Sequence, residues 1–122
     1  EVGLDPRQVR LLGKLSPLYI PVSGFALFPV IGIADSRPKF LSKTTEVKRI
    51  LEIPMSKLIG SEGLHLGYRL YKNDCYRVPY FNVEDERVWG ATAMILGELL
   101  TVIGTSLPDP WLLDGLGPVA AT

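Results

Sequence analysis

The chain has 122 residues, enough for a single domain. Its 13 basic and 13 acidic side chains give a formal net charge of zero, which offers no electrostatic case for binding nucleic acid or an anionic membrane. The single cysteine, Cys75, excludes an internal disulfide and a cysteine-based metal cluster.

The opening residues Glu1-Val2-Gly3-Leu4, followed by Asp5-Pro6, are typical of a helix end, a glycine stop and a turn. No helix precedes them in the sequence, so we expect these residues to be the end of a larger element. Apolar residues make up 47% of the chain. This indicates either a well-filled core or apolar surface that a further segment or a second subunit covers.

The first half of the chain predicts strands separated by turns. Val9–Leu15 is a short apolar run that predicts a strand. Leu18–Ser23 predicts a rigid loop, because Pro17 precedes it and Pro21 lies within it. Gly24–Ala34 is almost continuously apolar and predicts a buried central strand, with a bulge or an edge position at Pro29. Val47–Ile53 alternates imperfectly and also predicts a strand.

The second half predicts a hairpin between two helices. Pro54–Ile59 predicts a short helix that Gly60 ends. Leu64–Tyr71 and Cys75–Val83 predict the two strands of a hairpin with Lys72-Asn73-Asp74 as its turn. Trp89–Ile103 predicts a long helix, apolar over most of its circumference.

The tail, residues 105–122, is rich in proline and glycine and predicts an extended segment that Trp111 anchors. Taken together, the elements indicate a mixed α/β or α+β layer arrangement.

The opening four residues match the end of the Nudix box, Arg-Glu-apolar-X-Glu-Glu-X-Gly-apolar, with Glu1 as its last Glu. The order of the later segments strengthens this match, and together they resemble the C-terminal two thirds of the Nudix hydrolases of the coenzyme A pyrophosphatase group. The resemblance covers residues 1–103. Its later segments are Gly13–Tyr19, Ser23–Phe25, Pro29–Gly32, Glu46-Val47, Ile53–Leu58, Val78–Phe81 and Trp89–Ala93.

The resemblance implies a fold and a reaction. The fold is a Nudix-type α/β/α sandwich with a mixed sheet, incomplete at the N-terminus, with residues 1–104 as the C-terminal portion of the domain. Members of this group cleave the diphosphate of coenzyme A or of related nucleoside diphosphate derivatives. They use metal-assisted attack by water, and a cluster of carboxylates holds Mg²⁺ or Mn²⁺ beside the phosphates.

The resemblance also implies the site residues. Glu1 is the expected metal ligand, and Glu46 is the expected catalytic carboxylate outside the box. The alternative for each is an ordinary solvated glutamate on the surface. Ser23, Gly24 and Phe25 are the expected substrate-binding residues. The alternatives left open are that Gly24 serves an ordinary turn and that Phe25 and Tyr19 belong to the core.

Other polar residues have simpler explanations. The acidic Glu84-Asp85-Glu86 precedes the long helix and favours its dipole, and His65 is expected on a strand surface. In the hairpin, basic and aromatic residues alternate, which indicates either a phosphate-binding face or ordinary cross-strand pairs. These residues are Tyr68, Arg69, Tyr71, Lys72, Tyr76 and Arg77.

Glu1 is the only box carboxylate in the chain, and one carboxylate does not make a divalent cation site. We therefore expect the 122 residues alone to be inactive as a hydrolase, while a longer protein that contains them is active. The rival hypothesis is a non-catalytic binding or assembly module. The expected partners are a small-molecule diphosphate substrate and further copies of the chain, with no nucleic acid and no membrane, and the expected location is cytoplasmic.

Overall fold

The computed structural model describes residues 1–20, 23–59 and 63–104. The chain divides into two units, Glu1–Glu52 and Ile53–Thr122. The predicted tail with Trp111, and the predicted helix stop at Gly60, lie outside the described residues.

The first unit contains two short antiparallel ribbons. A 3-10 turn at Pro6–Gln8, capped by the side chain of Asp5, leads into strand β1 (Val9–Lys14). Strand β2 (Leu18–Ile20) pairs with β3 (Phe25–Leu27), and β1 pairs with β4 (Val30–Ala34).

Three expectations for this unit are wrong. Leu18–Ser23 is not a loop throughout, because Leu18–Ile20 forms a strand whose apolar residues pair with those of β3. Gly24–Ala34 is two strands instead of one, separated at Phe28-Pro29, where proline has no N–H to donate to a ladder. Val47–Ile53 forms no strand. Its half-buried residues Val47 and Ile50 are three positions apart, a spacing that differs from the alternation of a strand.

The strand predicted from Gly24 to Ala34 is also much less buried than expected. Strand β4 has no fully buried residue, and Val30 and Ile33 are 50% and 42% exposed. On β1, which pairs with it, Leu11 and Leu12 are 71% and 58% exposed. The first unit therefore displays apolar side chains that its own described residues do not cover.

One ion pair joins distant parts of the first unit. Arg37 Nε donates to Glu52 Oε1 at 2.8 Å, and this hydrogen bond lowers the pKa of Glu52 and raises the pKa of Arg37. Because the folded-state pKa of Glu52 is lowered, the pair contributes stability above the ordinary glutamate pKa and loses it as the pH falls. Both side chains are largely exposed, so the contribution is small.

The second unit is a three-stranded antiparallel sheet with one helix. A 3-10 turn at Met55–Lys57 follows Pro54 and is shorter than the helix predicted over Pro54–Ile59. Strands β5 (Leu64–Tyr71) and β6 (Asp74–Val83) form the predicted hairpin, with Lys72 and Asn73 in its turn at φ 49° and 67°. The α-helix α1 (Gly90–Val102) confirms the predicted long helix.

A third strand, β7 (Glu86–Val88), pairs with β6 in the second unit. Glu84 and Asp85 form the turn before it, at φ 46° and 66°. The expectation that the acidic triplet serves the helix start is therefore wrong, because β7 intervenes and the first turn of α1 contains no acidic residue.

The core of the second unit lies where α1 packs against β6. Phe81, Ala93 and Leu100 are completely buried, and Leu64 is nearly so in register with Phe81. Full burial on α1 is confined to Ala93, Gly97 and Leu100, a narrower stripe than the sequence predicts. Small residues at two of these three positions allow the helix to approach the sheet closely.

All strand pairs among the described residues are antiparallel, in sheets of two, two and three strands. This mixed α+β arrangement is the predicted fold class and is consistent with a Nudix-type α/β fold. In the described part of the chain, no helix is both long enough and apolar enough to span a membrane.

Candidate functional site

The first three residues lie beside a later segment of the first unit. The backbone N–H of Leu41 donates to the carbonyl of Val2 at 2.9 Å, and that of Lys43 donates to the carbonyl of Glu1 at 3.1 Å. Gly3 adopts φ +70°, and a Cβ at this position would lie 3.0 Å from the Leu41 carbonyl oxygen. Gly3, the predicted glycine stop, thus adopts a left-handed backbone conformation, which allows Glu1 and Val2 to pair with Leu41–Lys43.

Glu46 stands on the loop that follows this pairing. The hydroxyl of Ser42 lies 3.1 Å from the Thr44 carbonyl and 2.7 Å from the Val47 carbonyl, and it closes the loop around Glu46. Lys43 and Glu46 are three residues apart, so their Cα atoms are at most about 11 Å apart. Glu1 and Glu46 are both exposed, and the backbone of Glu1 pairs with Lys43, three residues before Glu46.

Ser23, Gly24 and Phe25 form the turn and first residue of the β2–β3 ribbon. The N–H of Gly24, at φ +74°, donates to the Ile20 carbonyl at 2.9 Å, and the N–H of Phe25 donates to Ser23 Oγ at 3.3 Å. This geometry supports the turn role of Gly24, because its N–H already has a backbone partner. Among the described residues, no hydrogen bond or ion pair links this turn to Glu1 or Glu46.

The two aromatic residues of this ribbon are not part of a core. Phe25 is 69% exposed and Tyr19 is 64% exposed. Phe25 is in register with Ile20, whereas Tyr19 is in register with Ala26, so the two rings lie on opposite faces of the ribbon. One flat ligand can therefore stack on Phe25 or on Tyr19, but not on both.

The chemistry of Glu1 and Glu46 is compatible with binding a divalent cation. Both supply carboxylate oxygens, which are the ligands that Mg²⁺ and Mn²⁺ prefer. The described residues contain no group of three or more His, Cys, Asp or Glu side chains placed to hold a metal ion. Within this part of the chain, Glu1 and Glu46 do not form a complete site for a divalent cation.

The second unit contains a cleft with a volume of about 640 Å³. It lies at the β6–β7 turn, and its walls carry both apolar and charged side chains. The lining residues are Ile53, Pro54, Lys57, His65, Asn82, Val83, Glu84 and Asp85. The sequence did not group His65 with the acidic residues Glu84 and Asp85, because their proximity depends on β7 and its turn.

The predicted basic aromatic face of the hairpin is split by the strand register. Tyr68 pairs with Arg77 and Arg69 with Tyr76, so Arg69 and Arg77 lie on opposite faces of the sheet. Arg69 instead lies over Trp89, with its guanidinium carbon 5.0 Å from the centre of the ring. Side chains alternate between the two faces along the hairpin strands. Following this alternation as far as Trp89 would have predicted that Arg69 and Trp89 lie on the same face.

The chain is similar in sequence to several curated Nudix hydrolases. It is 33% identical over 104 residues to an uncharacterized Nudix hydrolase, NudL, of Citrobacter koseri, covering 85% of this chain and 54% of that protein. A NudL of Shigella boydii is 34% identical over 111 residues, covering 85% of this chain and 54% of the relative. A NudL of Photorhabdus laumondii is 27% identical over 99 residues, covering 81% and 52%.

These similarities support the Nudix superfamily, which the opening residues and the later segments of the sequence already indicated. The chain spans about half the length of the curated relatives that it matches. No family model matches the chain, and no solved structure matches it.

Proposed function

We propose that this chain is part of a Nudix hydrolase that cleaves the diphosphate bond of coenzyme A or of a related nucleoside diphosphate derivative. The similarity to NudL proteins supports the hydrolase class. The pairing of Glu1-Val2 with Leu41–Lys43 supports the proposal further. It places the backbone of Glu1, the last residue of the box, beside the segment that leads into the loop of Glu46.

In this proposal each residue has a distinct task. Glu1 is a ligand of Mg²⁺ or Mn²⁺, and Glu46 orients the attacking water and accepts its proton. When bound, the cation offsets charge on the phosphates and lowers the pKa of water. Both carboxylates are exposed, and Glu1 pairs through its backbone with the segment that precedes Glu46, which supports these roles.

Ser23, Gly24 and Phe25 are proposed to contact the substrate. The Ser23 oxygen accepts the N–H of Phe25, which leaves the hydroxyl proton available for a substrate oxygen. The exposed ring of Phe25 offers a stacking surface for a base, and the turn at Gly24 lets a ligand approach the backbone without meeting a Cβ.

The 122-residue polypeptide alone is expected to show no hydrolysis of coenzyme A with added Mg²⁺ or Mn²⁺, because Glu1 and Glu46 do not complete a metal site. Activity is expected in a joined protein, in which the part of Citrobacter koseri NudL preceding the residue aligned with Glu1 is placed before this chain. The measurement is release of the diphosphate cleavage products, resolved by chromatography.

Two outcomes of this experiment would contradict the proposal. Metal-dependent turnover by the 122 residues alone would show that the chain holds a complete site by itself. A folded joined protein that binds Mn²⁺ but cleaves neither coenzyme A nor a nucleoside diphosphate derivative would favour the non-catalytic module instead.

We also propose that the chain self-associates through the β1–β4 ribbon. The exposed side chains of Leu11, Leu12 and Val30 support this proposal, because exposed apolar surface of this kind marks an interface. Light scattering of the 122-residue polypeptide is expected to show a dimer or a larger species. A monodisperse monomer that binds little hydrophobic dye would contradict it.

The division at residue 104 and the cytoplasmic location stay predictions.

A further inference from the structure

The loop that carries Glu46 is closed by the side chain of Ser42. The hydroxyl oxygen of Ser42 lies 2.7 Å from the carbonyl oxygen of Val47 and 3.1 Å from that of Thr44. A hydroxyl group has one proton, so it donates to one of these carbonyls at a time, and the shorter distance favours Val47. Because Ser42 comes before the loop and Val47 follows Glu46, this hydrogen bond joins the two ends of the loop.

Both ends of this loop are themselves anchored. The N–H of Leu41 donates to the carbonyl of Val2 at 2.9 Å, and the N–H of Lys43 donates to the carbonyl of Glu1 at 3.1 Å, so the residues on either side of Ser42 are held. At the other end, Val47 is half-buried, whereas residues 42–46 are exposed. The hydroxyl of Ser42 thus ties an exposed loop to two points that the rest of the first unit holds.

The side chain of Glu46 is not held directly. Within residues 1–20, 23–59 and 63–104, its carboxylate forms no hydrogen bond and no ion pair. Its position is therefore set by the backbone of the loop. A group that accepts a proton from water must come within about 2.6–3.2 Å of the water oxygen, and a misplacement of about 1 Å lowers the rate strongly. A loop that moves freely would spread the carboxylate over a wider volume than this distance permits.

We propose that Ser42 is a positioning residue for Glu46. Its hydrogen bond to Val47 keeps the loop in one conformation, and this limits the positions that the Glu46 carboxylate reaches. Ser42 acts through the loop backbone and takes no part in the proton transfer. The inference rests on the proposed function, in which Glu46 accepts the proton of the attacking water.

Nitrogen-15 NMR relaxation of the 122-residue chain tests the structural part of this proposal without any need for activity. A rigid backbone gives order parameters of about 0.85, and a flexible backbone gives values below about 0.6. In Ser42→Ala, the order parameters of residues 44–46 are expected to fall from the first range into the second. Ser42→Thr keeps the hydroxyl and is expected to retain the order of the loop.

Steady-state kinetics of the joined protein tests the link to Glu46. Ser42→Ala is expected to lower kcat by about three- to tenfold, the fold-change that corresponds to the loss of one ordinary hydrogen bond, and Ser42→Thr should restore most of it. The Mn²⁺ concentration for half-maximal rate should stay nearly unchanged, because the pairing of Glu1 with Lys43 does not involve the hydroxyl. Ser36→Ala is the matched control: it removes an exposed hydroxyl from the same unit and should keep nearly full activity.

A double variant separates positioning from a general structural effect. If Ser42 acts only through Glu46, adding Ser42→Ala to Glu46→Gln should lower kcat no further, because the effects of coupled residues are not additive. The proposal is overturned if the two losses multiply, if Ser42→Ala behaves like Ser36→Ala, or if the loop stays ordered without the hydroxyl. An inactive joined protein would contradict the proposed hydrolysis instead, and loss of loop order in Ser42→Ala would then still support Ser42 as the residue that holds Glu46 in place.

Discussion

Phe81→Ala is expected to lower the free energy of unfolding by about 3–5 kcal/mol. Phe81 is completely buried, it is in register with Leu64 on β5, and α1 packs against its strand. Removing the ring loses its transfer free energy and leaves a cavity, which the sheet and the helix fill only partly. Few other side chains are as fully buried in the described part of the second unit, so little packing remains to compensate.

Urea unfolding followed by circular dichroism measures this change. Leu70→Ala on β5 is the matched control, because Leu70 is 79% exposed and its truncation should change stability by less than about 0.5 kcal/mol. Equal losses for the two variants, or a loss below about 1 kcal/mol for Phe81→Ala, would contradict the core described here.

Glu1→Gln in the joined protein is expected to lower kcat about a hundredfold, which corresponds to a loss of roughly 3 kcal/mol in transition-state stabilisation. The amide keeps the size of the side chain but removes one negative charge from the metal site. Glu46→Gln should also lower kcat strongly. It should change the pH dependence as well, because this proposal gives Glu46 the proton of the attacking water.

Steady-state kinetics at several Mn²⁺ concentrations separates the two roles. Glu1→Gln should raise the Mn²⁺ concentration needed for half-maximal rate, whereas Glu46→Gln should leave it nearly unchanged. Asp35→Asn removes the same charge from an exposed position in the same unit and should keep nearly full activity. If Glu1→Gln behaves like Asp35→Asn, Glu1 is not a metal ligand.

Local patterns in the sequence predicted the hairpin and the long helix of the second unit. The hairpin follows from two aromatic and aliphatic runs around Lys72-Asn73, whose positive φ values suit a tight turn. The long helix follows from its apolar spacing. Strand β7 was missed because its three residues are too short to show a period, and it forms by pairing with β6.

The first unit was predicted less well because its apolar residues are not buried. A continuous apolar run such as Gly24–Ala34 usually indicates a central strand, but here Pro29 divides it and much of it is exposed. Burial depends on what packs against a strand, and a run of residue types does not specify that.

The candidate site was only partly predictable for the same reason. Glu1 and Glu46 were proposed from a resemblance, and the pairing of Glu1-Val2 with Leu41–Lys43, the segment before Glu46, was not predicted. The contact between Arg69 and Trp89 depends on strand register and on the missing side chain of Gly67. The alternation of residues along the hairpin is a signal for this contact, whereas no local pattern signals the pairing of Glu1-Val2 with Leu41–Lys43.

The most direct test of the central claim is an anomalous-diffraction map of crystals of the joined protein soaked with Mn²⁺. The account predicts a Mn²⁺ ion bound by a carboxylate oxygen of Glu1, at the surface region that Glu46 shares. A Mn²⁺ ion held wholly by other residues, with Glu1 pointing into solvent, would contradict it.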